Sequence, residues 1–284
     1  MTERMDGKTV MVTGATDGIG LVTARELAAR GARVLLVGRN EAKGQRALAA
    51  IRERAGGADL AFHRADLSRM ADIRRLAMTI AETEPHLDVL VNNAGGIFGE
   101  RHETEDGFER TFALNHLNYF LLTNLLLETL RAAPAGRVVN VASRAHEGGR
   151  IAFDDPHLTR GYKAWRAYRQ SKLANILFTS ALARRLQGSG VTANALHPGF
   201  VRTRFGGDNP TWFRTGVRLA MAAMAISVEE GAKTSIFLAA SPAVEGQSGG
   251  YYVKSAAAKP SPAARDDAAA ERLWAISEAM VQGR

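Results

Sequence analysis

The stretch Thr9-Val10-Met11-Val12-Thr13-Gly14-Ala15-Thr16-Asp17-Gly18-Ile19-Gly20 decides how the chain is read. A β-rich run ends in a Gly-x-x-x-Gly-x-Gly turn. Beyond it, Ile19–Arg30 carries apolar residues at helical spacing (Ile19, Val22, Leu27) and stops at Gly31. Glycines let a strand pass tightly into a helix. They also let backbone N–H groups at the positive helix end approach a pyrophosphate. Such turns arise for structural reasons too. Placement between a first strand and a first helix is what points to a dinucleotide.

The alternation continues outward. Arg33–Val37 reads as a strand, Ala42–Arg54 as a helix and Asp59–Arg64 as a strand. Ser68–Glu82 reads as a helix with Ser68 as N-cap and Asp72 in its first turn. Val89–Asn92, Arg137–Ser143, Val191–Leu196 and Gly250–Val253 read as further strands. Phe108–Leu130, Ala164–Leu186 and Glu229–Ala240 read as the helices among them. Strands separated by helices of this length imply βαβ units. The expected fold is α/β: one domain over residues 1–284, a doubly wound parallel sheet with helices on both faces. Ser255–Ala264 reads as a surface excursion. It leads to a C-terminal helix, Arg265–Val281, that packs back through Leu273, Trp274 and Ile276.

Composition narrows the function. Lys and Arg number 37 against 29 Asp and Glu, a net charge of +8 that invites a nucleic-acid reading. The excess is scattered arginine (Arg25, Arg30, Arg33, Arg52, Arg54, Arg74, Arg75, Arg184, Arg185), read as bland solvated helix faces, without a block of like charges or interleaved aromatics. No nucleic-acid partner is expected. The longest apolar stretch, Leu219–Val228, has about half the roughly 20 residues that span a bilayer, so no membrane span is expected. There is no cysteine, which excludes disulfides and thiol nucleophiles, and the start has no signal-peptide h-region. A cytoplasmic location is expected. No His/Asp/Glu cluster has metal-ligand spacing, so no catalytic metal is expected.

The end of the second strand bears on the cofactor. A carboxylate there would bond the adenosine ribose, whereas an arginine would pair with a 2′-phosphate. The sequence gives Arg39 and no carboxylate before Glu41, which favours NADP(H). Asp17 in the glycine turn argues the other way and keeps NAD(H) as the alternative. Asp66 and Leu67, after the third strand, are placed to border the adenine, with the Asp66 carboxylate as acceptor.

Five tyrosines are present, and only Tyr168 has a lysine four residues later, Lys172. On a helix that spacing puts both on one face. An ammonium near a phenol favours the phenolate and lowers its pKa. Tyr-x-x-x-Lys alone is weak, but it stands in an ordered set. Asn92-Asn93-Ala94-Gly95 follows the fourth strand, Ser143 ends the fifth, and Pro198-Gly199 ends the sixth, with Thr203 beyond. With the glycine turn, this set resembles the short-chain dehydrogenase/reductase family over essentially the whole chain. Asn115-His116, Arg137–Ser143, Ser171–Phe178, His197–Gly199 and Arg272–Trp274 resemble its retinol dehydrogenase/WW-domain oxidoreductase branch. So does the long interval from Ser143 to Tyr168.

The resemblance implies a Rossmann domain and roles residue by residue. Tyr168 exchanges the proton with the carbonyl oxygen, and Ser143 orients that oxygen. Lys172 lowers the tyrosine pKa and binds the nicotinamide ribose, while Asn115 supports a proton-relay water near Lys172. Gly14, Thr16, Asp17, Gly18, Ile19, Gly20, Asn93, Ala94 and Gly95 line the cofactor cleft. Pro198, Gly199, Val201 and Thr203 form its nicotinamide end. His116 and His197 are expected to be structural or cleft-lining.

Residues 200–228, with Trp212, Phe213, Met221 and Met224, are expected to form a substrate lid. His146, Ile151, Phe153, Tyr162 and Trp165 are expected to form another wall of the pocket. These point to a medium-to-large apolar carbonyl or alcohol as the small-molecule partner. The expected activity is an NADP(H)-dependent oxidoreductase interconverting carbonyl and alcohol. The alternatives are an NAD-preferring alcohol dehydrogenase and a non-catalytic nucleotide-sensing protein. A homo-oligomer is compatible with all three.

Overall fold

The computed structural model describes residues 3–201 and 226–282. Thr203, Trp212, Phe213, Met221 and Met224 lie outside the described residues. Within them, one sheet is built from β1 (Thr9–Thr13), β2 (Arg33–Gly38), β3 (Leu60–Arg64), β4 (Val89–Asn92), β5 (Arg137–Val141), β6 (Thr192–His197), β7 (Tyr251–Val253) and β8 (Ala256–Ala258). Their order is β3-β2-β1-β4-β5-β6-β7-β8, and only the β7–β8 pairing is antiparallel. The chain winds outward from β1 to β3, then returns to β4 and winds the other way. The carboxyl ends of β1 and β4 therefore flank the switch point where such sheets bind ligands.

Alternation along the strands sorts the core into two layers. Val10, Val12, Val34 and Leu36 join one buried cluster, which includes side chains of α1 (Gly18–Ala29), α2 (Glu41–Arg54) and α8 (Val228–Ala240). Met11, Leu35 and Leu90 join the other. That layer is completed by α3 (Met70–Thr83), α5 (Asn118–Leu125), α7 (Ala164–Arg185) and α9 (Asp267–Gln282). Between them run the short helices α4 (Arg110–Phe112) and α6 (Leu127–Arg131). A strand buried on both faces has no polar side, as the continuous burial of β1 shows.

The helix caps follow from sequence. Asp17 Oδ1 accepts from Gly18 N at the start of α1 (2.8 Å), and Asn40 Oδ1 accepts from Lys43 N at the start of α2 (2.9 Å). Ser68 does not cap α3, contrary to expectation. Its hydroxyl donates to Asp66 Oδ1 (2.7 Å), and Met70 N is met instead by Asp106 Oδ2 (3.0 Å) from a distant loop.

Two other expectations are corrected. The helix expected over Phe108–Leu130 is interrupted by a π-turn at Ala113–Leu117 and breaks again at Leu126. The excursion after β7 contains β8, reached through a two-residue turn in which Lys254 and Ser255 have φ of 51° and 59°. The C-terminal helix behaves as expected. Leu273 is buried, and Trp274 stacks on Phe178 with centroids 5.9 Å apart while Arg185 lies over its ring.

Candidate active site

The glycine turn and the loop after β4 are laced together. Thr13 Oγ1 accepts from the backbone N–H groups of Asn93 (2.8 Å) and Ala94 (3.0 Å), and Asn93 Nδ2 donates to Thr13 O (2.7 Å). A Cβ on Gly20 would stand 2.4 Å from both Asn93 Nδ2 and Gly14 O. Gly14 has φ of 65°, and a Cβ there would press on Ala94 Cα at 3.0 Å. The turn is as tight as glycine allows, which frees backbone N–H groups to approach a pyrophosphate.

From this turn a cleft of about 850 Å³ runs across the carboxyl ends of β1, β4, β5 and β6. Gly14, Asp17, Gly18, Ile19, Gly20, Asn93, Ala94, Gly95, Ser143, Tyr168, Lys172, Pro198, Gly199 and Val201 all line it. Thr16 does not. It packs over Gly38, where an added Cβ would lie 2.7 Å from its methyl, and faces a separate hollow of about 320 Å³ with Lys43 and Arg46. Arg39, next in the chain after Gly38, is exposed and stands outside the cleft lining. Leu67 is buried in the core, and the Asp66 carboxylate accepts from Ser68 N and Oγ. Neither side chain borders the cleft.

The reacting end is buried. Tyr168 and Lys172 sit one turn apart on α7, with Lys172 Nζ 5.8 Å from the Tyr168 ring centroid and donating to Val141 O (2.8 Å). Burial pushes Lys172 down to about 7. Burial likewise pushes Tyr168 up to about 12, opposed by its hydrogen bond with Ser143. This reverses the expected lowering of the phenol. Desolvation is the larger influence on the phenol, and the hydrogen bond with Ser143 is what opposes it. Tyr168 therefore stands as an intact phenol, a proton donor.

Asn115 lies under the cleft, not in its lining. Its side chain brackets Gly96, accepting from Gly96 N (2.8 Å) and donating to Gly96 O (2.9 Å), and also donates to Ser171 Oγ (2.9 Å). A Cβ on Gly95 would lie 3.0 Å from Asn115 Oδ1 and 3.7 Å from Lys172 Nζ, so the β4 loop is wedged between the two. His116 is structural. It is fully buried, is pushed down to about 3 by burial, and pairs with Ser277 Oγ of α9 (2.8 Å).

Of the expected second wall, only Trp165 lines the cleft, edge-on to Tyr168 at 5.8 Å. Ile151 is buried in the core, Phe153 is covered by Arg272, and Tyr162 donates to Phe98 O (2.8 Å). His146 lies behind the site. Arg144, Glu147, Arg169 and Phe200 line the cleft without having been singled out. Their only signal was adjacency to Ser143, Tyr168 and Gly199.

A glycine turn at the switch point, with buried Tyr168 and Lys172 and half-buried Ser143 at the far end of one cleft, defines a dinucleotide-binding oxidoreductase. Residues 8–212 match the family model described as short chain dehydrogenase. The chain is 44% identical to retinol dehydrogenase 14 of Mus musculus over 289 residues, covering 98% of this chain and 86% of that one. Its fold superposes on an uncharacterized protein from Mycobacterium paratuberculosis with TM-score 0.80 and 35% identity, covering 99% and 96% of the two chains. It also matches a short chain dehydrogenase from Escherichia coli CFT073 complexed with NADPH, with TM-score 0.71, 25% identity and coverage of 90% and 100%. The chain belongs to the short-chain dehydrogenase family and is retinol dehydrogenase-like within it.

Among the described residues, no helix is long and apolar enough to cross a membrane, and no group of three or more His, Asp or Glu is placed to hold a metal ion.

Proposed function

We propose that the protein is an NADP(H)-dependent oxidoreductase that interconverts a carbonyl and an alcohol on an apolar, medium-to-large substrate. The observation that carries this reading is the placement of Tyr168, hydrogen-bonded to Ser143 and one helical turn from Lys172, at the end of a cleft that begins at the glycine turn. Nicotinamide, when bound, supplies or takes up the hydride. Tyr168 gives its phenolic proton to the carbonyl oxygen on reduction and takes it back on oxidation. Ser143 orients that oxygen, and Lys172 Nζ, one helical turn from Tyr168, is the proton source that restores the phenol after reduction. Trp165 and Phe200, both exposed at the rim (43% and 40%), suit an apolar substrate.

NADP(H) is favoured because Arg39 follows the end of β2, with Lys43 and Arg46 beside Thr16 in the neighbouring hollow. These cations suit a 2′-phosphate. The exposed carboxylate of Asp17 supports the NAD-preferring alternative.

The test is a panel of all-trans-retinal, decanal and acetophenone, assayed with NADPH and with NADH. Oxidation of NADPH by an apolar member is the expected result. Equal efficiency with NADH would remove the cofactor assignment. Cofactor binding without turnover of any member would favour a sensing role.

A further inference from the structure

The peptide unit that follows Ser143 is bonded at both poles by imidazoles. Its carbonyl, Ser143 O, accepts from His146 Nδ1 (2.8 Å) and from His146 N (3.1 Å). Its N–H, on Arg144, donates to Nδ1 of His197, the last residue of β6 (3.1 Å). One residue earlier, Ala142 N donates to Leu196 O (2.8 Å), so the chain enters this unit already tied to β6.

The chemistry of these bonds fixes both rings. A carbonyl can only accept, so His146 carries its proton on Nδ1. Its bare Nε2 then accepts from Ser261 N (3.1 Å), in the segment that follows β8. An N–H can only donate, so His197 Nδ1 is bare and its proton sits on Nε2. The two rings are neutral and of opposite tautomer. Both are buried, at 1% and 6% exposure, and burial pushes both below their ordinary values. The His146 ring also meets Tyr251 edge-on at 5.2 Å. Neither imidazole lines the cleft.

Ser143 has two tasks. Its Oγ accepts from Ala145 N (3.2 Å), capping the 3₁₀ turn Arg144–Gly148, and it is hydrogen-bonded to Tyr168. A rocking of the next peptide would swing that oxygen off the phenol. Bonding at both poles prevents it.

We propose that His146 and His197 are positioning residues that clamp the Ser143–Arg144 peptide from opposite sides and so aim Ser143 Oγ at the reacting oxygen. Through Ser261 and Tyr251, the clamp makes the C-terminal segment part of the site's support. The inference rests on the reading of Ser143 given above.

Two measurements on the full chain test it. In ¹⁵N-histidine-labelled protein, long-range ¹H–¹⁵N correlation is expected to show His146 protonated at Nδ1 and His197 at Nε2. Identical tautomers, or a doubly protonated ring near neutral pH, would overturn the clamp whether or not any variant folds. In turnover of decanal, or of all-trans-retinal where that is faster, His146→Leu and His197→Leu are expected to lose at least about tenfold in kcat while NADPH affinity holds within about twofold. His146→Asn and His197→Asn present an amide donor and acceptor near the lost Nδ1, and are expected to recover most of that loss. Leucine variants with wild-type kcat, or asparagine variants no better than leucine, would sink the proposal. Ser143→Ala separates the two failures. If it is inactive while the leucine variants are active, only the clamp fails; if it is fully active, the reading of the site fails with it.

Discussion

The two ends of the cleft are built on different physical terms. At the reacting end, Tyr168, Lys172 and Ser143 come from two elements, Tyr168 and Lys172 are buried, and each is bonded to backbone or to another member. At the glycine-turn end, Asp17 lines the cleft while Arg39, Lys43 and Arg46 lie outside its lining, and all four are exposed. Proton transfer needs groups of fixed geometry and shifted acidity, which only a dry interior supplies. Recognition of a phosphate needs charge within reach, and a solvated arginine provides that. The same cleft therefore answers to mutation very differently at its two ends.

The largest effect is expected from Tyr168→Phe, which removes the proton donor and little else. Turnover is expected to fall by about 10²–10⁴-fold with NADPH affinity nearly unchanged. A wild-type rate in steady-state NADPH oxidation would erase the distinction between the two ends.

Lys172→Met sharpens it, because activity and stability should move in opposite directions. Turnover is expected to fall by about 10²-fold. The native pKa of about 7 lies below the ordinary 10.5, so the buried cation destabilises the fold fully below pH 7. That cost shrinks as pH rises from 7 towards 10.5, where the unfolded chain still holds its proton and the native one does not. The variant is therefore expected to melt higher than wild type, most at pH 6 and less at pH 9. Calorimetry at the two pH values checks the sign.

Arg39→Ala probes the other end. A charge-assisted contact is worth about 1.5–3 kcal/mol, so NADPH is expected to bind roughly 10–100-fold more weakly with NADH unaffected. Fluorescence titration with both cofactors decides it. The smallest effect is expected at Asp17, where charge and cap separate. Asp17→Asn keeps an oxygen for Gly18 N and is expected to tighten NADPH binding a few-fold. Asp17→Ala loses the cap as well, and is expected to lose about 1 kcal/mol of stability.

The same contrast explains what the chain's order of residues disclosed. The glycine turn, Tyr168 with Lys172 and the strand runs are local patterns, and they lie where expected. What escaped detection is tertiary or locally atypical. β8 was missed because its turn uses Lys254 and Ser255 at left-handed φ in place of Asn or Gly, and because alanines carry little strand signal. Ser68 looked like a cap until Asp106, 36 residues away, took Met70 N. The pairing of His146 and His197 across one peptide joins residues that no spacing rule connects. The scattered arginines are more engaged than a bland surface, and Arg33 stands on β2, not on a helix face. Arg33 pairs with Glu84 and Asp59, and Arg184 and Arg185 pair with Glu271 of α9.

The π-turn at Ala113–Leu117 has a consequence in the language of insertions and deletions. Such a turn is one surplus residue wound into a helix. Deleting a residue within it would restore regular α geometry and draw the residues of the turn out of the positions that the wider turn gives them. Asn115 would turn away from Gly96, and His116 from Ser277, so one missing codon would unseat the floor of the cleft and the docking of the last helix together. Most surface helices absorb a change of length by slipping. This one tolerates a change of letter far better than a change of count.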